Sequence, residues 1–208
     1  MDKKVLSLVE NTYTKNDIDA MIDVLKSDQL TMGKNVKKFE EEFAKKFNFN
    51  YCVMVNSGSS ANLLALSVLC NSKRSNYLKK GDRILVPSVC WSTSVFPILQ
   101  NGLEPVFMDV NPETLNINAE DIEKYPNIRG IVLVHILGAS TNMKKVMEIV
   151  EKNNLITMED TCESLSSKYN DTFLGGFGDM GTYSFYFSHH MTTIEGGMIT
   201  CKTKDDYN

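Results

Sequence analysis

Short apolar segments of strand length alternate with stretches of helical period along most of this chain, and no other feature narrows its folding options as much. Tyr51–Val55, Arg83–Val86, Pro105–Val110, Gly130–Leu137 and Leu155–Glu159 each read as a strand. Between them the spacing turns helical: Ala61–Leu69, Thr93–Asn101 stopped by Gly102, a short helix capped by Asn118 and running to Tyr125, and Met143–Val150. Ahead of the first strand, a helix capped by Asn16 lines up Ile18, Met21, Ile22 and Leu25. A second helix places Val36, Phe39 and Phe43 on its buried side. Strands divided by helices need crossover connections, which are right-handed and build a mainly parallel sheet flanked by helices. The last third changes character, with Tyr183–Phe187 and Gly197–Cys201 reading as strands joined by a turn and no helix. The expected fold class is α/β, with residues 1–208 in one domain, free of repeats, low-complexity tracts and linkers.

Charge excludes some partners. Lys and Arg number 22 against 26 Asp and Glu, for a net charge of −4, and the signs are interspersed, so no nucleic-acid-binding face is expected. Apolar runs such as Gly130–Leu137 are too short to span a bilayer, and Met1-Asp2-Lys3-Lys4 leads into a polar mixture without a signal-peptide core. The cysteines, Cys52, Cys70, Cys90, Cys162 and Cys201, are odd in number and not closely paired. A reducing compartment fits that usage, and a cytoplasmic location is expected.

Ligands of open α/β sheets bind beyond the carboxyl ends of the strands, and three segments fall there. In Asn56-Ser57-Gly58-Ser59-Ser60-Ala61-Asn62, small residues between strand and helix let backbone N–H groups approach an anion; the alternative is a plain helix cap and tight turn. It is not a Walker loop, because the Gly-Lys-Ser/Thr ending is missing. Glu159-Asp160 follows an apolar strand, where a carboxylate can pair with a protonated ring nitrogen, hold a metal or simply cap a helix. The third, Ser184 to Gly197, carries His189-His190 before a glycine pair, and histidine suits proton transfer near neutral pH. Adjacent side chains on a strand diverge and no HExxH or cysteine-pair spacing accompanies them, so no metal site is expected; two structural histidines are the other reading. Trp91 follows a strand end and can stack on a flat ring or belong to the core.

In order and spacing these segments resemble the DegT/DnrJ/EryC1/StrS family of nucleotide-sugar aminotransferases and their relatives. The blocks are Met32–Val36, Phe39–Ala44, Asn56–Ala61, Gly81–Ser88, Gly102–Val110, Glu159-Asp160, Gly176–Gly181 and Ser184–Gly197. The resemblance implies the large domain of the aspartate-aminotransferase fold, with a smaller C-terminal domain and the end of the large domain missing after Asn208. It also implies pyridoxal or pyridoxamine phosphate as cofactor and a homodimer when full length. By the same resemblance Gly58, Ser59, Ser60 and Ser184 cradle the phosphate. Trp91 covers the pyridine face, and Asp160 keeps the ring nitrogen protonated, making the ring an electron sink.

One position departs from the pattern. Family aminotransferases carry Ser-Phe-x-x-x-Lys-x-x-Thr-Thr-x-Glu-Gly-Gly, the lysine holding the cofactor as a Schiff base; here that position is His189. The substitution, in a His-His context, resembles the 4-keto-6-deoxysugar 3-dehydratases. That subgroup implies a nucleotide-linked 4-keto-6-deoxysugar as substrate, with a GDP-linked 4-keto-6-deoxyhexose the leading choice. It further implies His189 as the base at the cofactor C4′ while the sugar C3 hydroxyl leaves, and L-glutamate as amino donor. Glu163 stands where aminotransferases usually have glutamine, facing the cofactor's phenolic oxygen or positioning His189. Cys162 matches one cluster ligand of an iron–sulfur-dependent relative; the other ligands would lie beyond Asn208, and a buried structural cysteine is the alternative. A nucleotide-sugar aminotransferase and a non-catalytic cofactor-binding regulator are the rival functions.

Overall fold

The computed structural model describes residues 13–208. The chain divides after Phe39 into a short N-terminal unit and a large unit from Glu40 to Asn208. In the first, α1 spans Lys15–Leu25. Its N-cap is Thr14 rather than Asn16, because Asp17 folds back to accept from the Thr14 N–H at 2.6 Å and from its hydroxyl at 2.7 Å. Ile18, Met21, Ile22 and Leu25 share a face but stay exposed. Helix α2, Lys34–Phe47, runs into the large unit, where Phe43 and Phe47 are buried.

The large unit is a seven-stranded sheet in the order β1-β9-β8-β5-β4-β2-β3. Its strands are β1 Tyr51–Val55, β2 Arg83–Pro87, β3 Glu104–Met108, β4 Ile128–Val134, β5 Ile156–Asp160, β8 Met180–Ser184 and β9 Gly197–Cys201. A separate two-stranded ribbon pairs β6, Lys168–Tyr169, with β7, Thr172–Phe173. Strands β3, β2, β4, β5 and β8 run parallel, as crossovers through α3 (Gly58–Leu69), α4 (Ser92–Gln100) and α5 (Met143–Asn153) require. Strand β9 returns from β8 without a helix and lies antiparallel to both β8 and β1.

Alternation along the strands feeds two cores. Ile84, Val86, Val132 and Met158 pack with Leu66 and Ile98 on the α3–α4 face, while Leu85, Ile131 and Leu133 meet Val146 and Ile149 of α5 on the other. Both faces are covered, so the parallel strands read as nearly continuous apolar runs.

Several boundaries differ from the sequence expectation. Helix α3 starts at Gly58 instead of Ala61, because the Ser57 hydroxyl accepts from the Ser60 N–H at 3.1 Å and caps it. The strand expected through Leu137 stops at Val134, since Leu137 is left-handed (φ 53°) and Ile136–Gly138 closes a single short turn. The strand expected at Tyr183–Phe187 lies at Met180–Ser184. Pairing ends there because the Phe185 N–H turns to the Gly196 carbonyl at 2.8 Å, leaving Tyr186 and Phe187 exposed.

Candidate active site

A cleft of about 710 Å³ opens at the carboxyl ends of β2, β4, β5 and β8. Three chain segments converge on it through close backbone approach. A Cβ on Gly58 would lie 2.6 Å from Ser184 Cβ and 2.9 Å from Cys162 Sγ, so only glycine lets the start of α3 meet the ends of β8 and β5. Gly197 does the same from β9, because a side chain there would run into the Ser57 carbonyl. Gly58 and Ser59 therefore line the cleft at the N-terminus of a three-turn helix, with Ser184 beside them. Ser60 does not line it; its hydroxyl accepts from that of Ser57 at 3.1 Å, within the cap.

The adjacent carboxylates at the end of β5 face opposite ways, as strand geometry demands. Asp160 points to the α3–α4 side and lines the cleft. Its Oδ2 accepts from Asn62 Nδ2 at 2.8 Å and Ser94 Oγ at 2.7 Å, and its Oδ1 from the Cys162 N–H at 3.2 Å. Glu159 is fully buried on the other side and accepts from the N–H groups of Gly175, Phe177 and Gly178 at 2.7–2.8 Å. His135, at the end of β4, places Nε2 3.1 Å from Glu159 Oε2, and its Nδ1 is buried without a partner. Glu159 is thus a structural anchor behind the cleft wall, holding His135, which lines the cleft, and Asp160 is the carboxylate offered to a ligand.

His189 lies on the loop between β8 and β9, half-buried and lining the cleft, while exposed His190 does not line it. Burial holds the His189 imidazole below the usual histidine value; Glu163 and Asp160 oppose the drop and His190 adds to it. Its backbone N–H is bound to the Tyr186 carbonyl at 2.9 Å. The loop is rooted at Phe185, which is fully buried and whose carbonyl accepts from the Thr193 N–H at 3.0 Å and the Thr192 hydroxyl at 3.2 Å. Ile194 in this loop is left-handed at φ 72°, an unusual state for a β-branched residue, and its side chain is exposed.

Trp91, at the N-cap of α4, is 73% exposed at the cleft and is not part of the core. Glu163 also lines the cleft, its Oε2 accepting from the Leu137 N–H at 3.0 Å. Cys90 and Cys162 line it as well; burial, then the charge of Asp160, pushes both thiols above the ordinary cysteine value. Among the described residues no group of three or more His, Cys, Asp or Glu side chains is placed to hold a metal ion. No helix among them is long and apolar enough to cross a membrane.

The structure brings together Gly58, Ser59, Trp91, Asp160, Glu163, Ser184 and His189, all singled out in the sequence. It adds Asn62 and Ser94 as holders of Asp160, and His135 as the partner of Glu159. The signal for Asn62 was a lone amide one turn into an otherwise apolar helix; for His135 it was a polar residue directly after a strand of buried aliphatics.

The model of the DegT/DnrJ/EryC1/StrS aminotransferase family matches residues 11–207. The GDP-4-keto-6-deoxy-D-mannose 3-dehydratase of Escherichia coli O55:H7 is 40% identical over 97% of this chain and 52% of its own length. The solved E. coli enzyme of that name with bound hydrated pyridoxal phosphate superposes with a TM-score of 0.91 at 40% identity, over 96% of this chain and 52% of that one. A second structure of a GDP-4-keto-6-deoxymannose 3-dehydratase, with a trapped pyridoxal phosphate–glutamate geminal diamine, gives 0.91 at 39% identity, over 97% and 52%. The chain spans about half the length of the relatives it matches. Family model, fold and cleft agree: the chain belongs to the DegT/DnrJ/EryC1/StrS aminotransferase family.

Proposed function

We propose that the protein containing this chain is a pyridoxal phosphate-dependent 3-dehydratase of a GDP-linked 4-keto-6-deoxyhexose, with His189 as its base. One observation carries the reading: the cleft is lined by the imidazoles of His135 and His189, the latter at the position where the family's lysine would stand, and no lysine of the described residues lines it. A lysine is what an aminotransferase of this family needs there.

The residues fit the cofactor. The cradle at Gly58 is so tight that a Cβ would fill it, and it opens at a helix N-terminus suited to a phosphate. Gly58, Ser59 and Ser184 would hold that group, with Ser60 supporting Ser57 from behind. Trp91 would cover the ring and Asp160, already oriented by Asn62 and Ser94, would meet its nitrogen. Glu163 would stand on the phenolic side. When bound, the cofactor supplies an amine that can condense with the sugar ketone and an electron sink for loss of the C3 hydroxyl.

The protein's own part is proton handling. A half-buried imidazole held below the ordinary histidine value is neutral at pH 7 and ready to take a proton at the cofactor C4′. Proton transfer of this kind contributes roughly 10²–10⁴-fold. L-Glutamate as amino donor is supported by the glutamate adduct of the similar dehydratase. A homodimer is supported by the exposed Leu64, Phe96 and Leu99 on α3 and α4. A cytoplasmic location rests on the cysteine usage.

The test is to incubate the full-length protein with pyridoxal phosphate, glutamate and GDP-4-keto-6-deoxymannose and follow the sugar by mass. Loss of one oxygen without gain of nitrogen is expected. An amino sugar would make the protein an aminotransferase, and cofactor uptake with no sugar consumed would make it a regulator. In His189→Lys a Schiff-base absorbance should appear.

A further inference from the structure

Glu163 differs from Asp160 in what it holds. Asp160 is pinned by side chains from two helices, whereas Glu163 Oε2 grips a piece of backbone, the Leu137 N–H, at 3.0 Å. Leu137 is left-handed, with φ 53° and ψ 31°, in the turn that ends β4. A left-handed backbone is unfavourable for leucine, and this side chain is 78% exposed, so little burial offsets the strain. The hydrogen bond to Glu163 therefore does for the turn what packing does elsewhere. Leu137, Glu163 and His189 line the same cleft.

We propose that Glu163 is a positioning residue with two linked tasks: its carboxylate clamps the Leu137 turn along the cleft wall, and that clamp fixes a negative charge beside His189. The inference rests on the reading of His189 as the base. An imidazole that takes a proton in a partly buried place becomes a cation, and a fixed anion stabilises it there. A carboxylate free to swing into water would do so weakly. The surroundings of His189 agree. Glu163 is the foremost influence opposing the effect of burial on its imidazole, ahead of Asp160, while His190 acts the other way. The Tyr186 ring packs edge-on at 6.3 Å, and Cys90, His135, Cys162 and Glu195 are the other titratable groups lining the cleft.

Charge and clamp separate by mutation, because glutamine can accept the same N–H without carrying charge. The experiment titrates the His189 imidazole by NMR in the full-length protein without cofactor, with His189→Asn assigning the signal. Exchange of the Leu137 amide is followed in parallel. In Glu163→Gln the His189 midpoint should fall by roughly 0.5–1 pH unit while the Leu137 amide keeps its protection. In Glu163→Ala the midpoint should fall as far and the amide should exchange at least about tenfold faster. A Glu163→Gln midpoint equal to the wild-type one, or unchanged exchange in Glu163→Ala, overturns the proposal. Neither readout needs turnover. Shifts as expected with no oxygen lost from the sugar would leave the clamp standing and remove the dehydratase. Oxygen loss with an unmoved titration would do the reverse.

Discussion

Glu159 and Asp160 end a strand whose every residue is buried, and each carboxylate is met by several donors from different parts of the fold. His189, five residues beyond the end of β8 at Ser184, sits in a loop tied down at Phe185 and the neighbouring threonines and otherwise largely open to solvent. Asp160 and His189 face the same cleft, but the regions that carry them are built differently. The two carboxylates come from a strand end, where packing on both faces leaves them little alternative placement. The group proposed to move a proton comes from a segment fixed at its root and partly free at its tip. Rigid floor and adaptable wall divide the labour of the site.

The contrast can be broken most forcefully at the wall. His189→Asn should lower the rate of oxygen loss by about 10²–10⁴-fold while cofactor uptake, read by absorbance, changes less than about twofold. An equal loss of cofactor affinity would show that the loop belongs to the floor. At the floor, Glu159→Ala strands three backbone N–H groups and His135, and should cost about 3–5 kcal/mol in denaturant unfolding. A cost below about 1 kcal/mol would mean the anchor is not what orders the loop at 175–178.

A subtler probe is pH. Because burial lowers the His189 value below 6.5, the neutral, proton-accepting form dominates through pH 7. The acid limb of kcat/KM should therefore lie below pH 6.5, activity falling as pH drops through the lowered value. A limb above that point would place a different base in the cleft. The smallest effect should come from Ile194→Gly, which relieves a left-handed β-branched residue at some cost in chain entropy. Stability should rise by about 0.5–1 kcal/mol. A loss instead would show that the exposed isoleucine is held by contacts the loop depends on.

The same division governs what could be read in the chain before folding. Strands β1 and β9 lie where the apolar runs place them, and β9, buried along its whole length, has little freedom in its register. The cleft residues Gly58, Asp160 and His189 were legible because their motifs stand at strand ends. The strand at Met180–Ser184 was displaced toward Phe187, since Ser184-Phe185-Tyr186-Phe187 has the stronger strand character while Gly181 interrupts the true one. Asn62, Ser94 and His135 stayed hidden for another reason. Their meaning depends on partners far along the chain, and no local period reports which buried carboxylate a polar side chain will meet.

Among the described residues, strand β1 is the first of the sheet to be synthesised, and its sole neighbour there is β9, the last of those strands. A nascent chain emerging from the ribosome must therefore carry Tyr51–Val55 unpaired until Cys201 has cleared the exit tunnel. The Ser57–Gly58 corner waits for Gly197 in the same way. Translation pauses or premature stops ahead of that point leave a sticky edge and an unformed cleft corner, so early release products should be the species that chaperones and proteases meet.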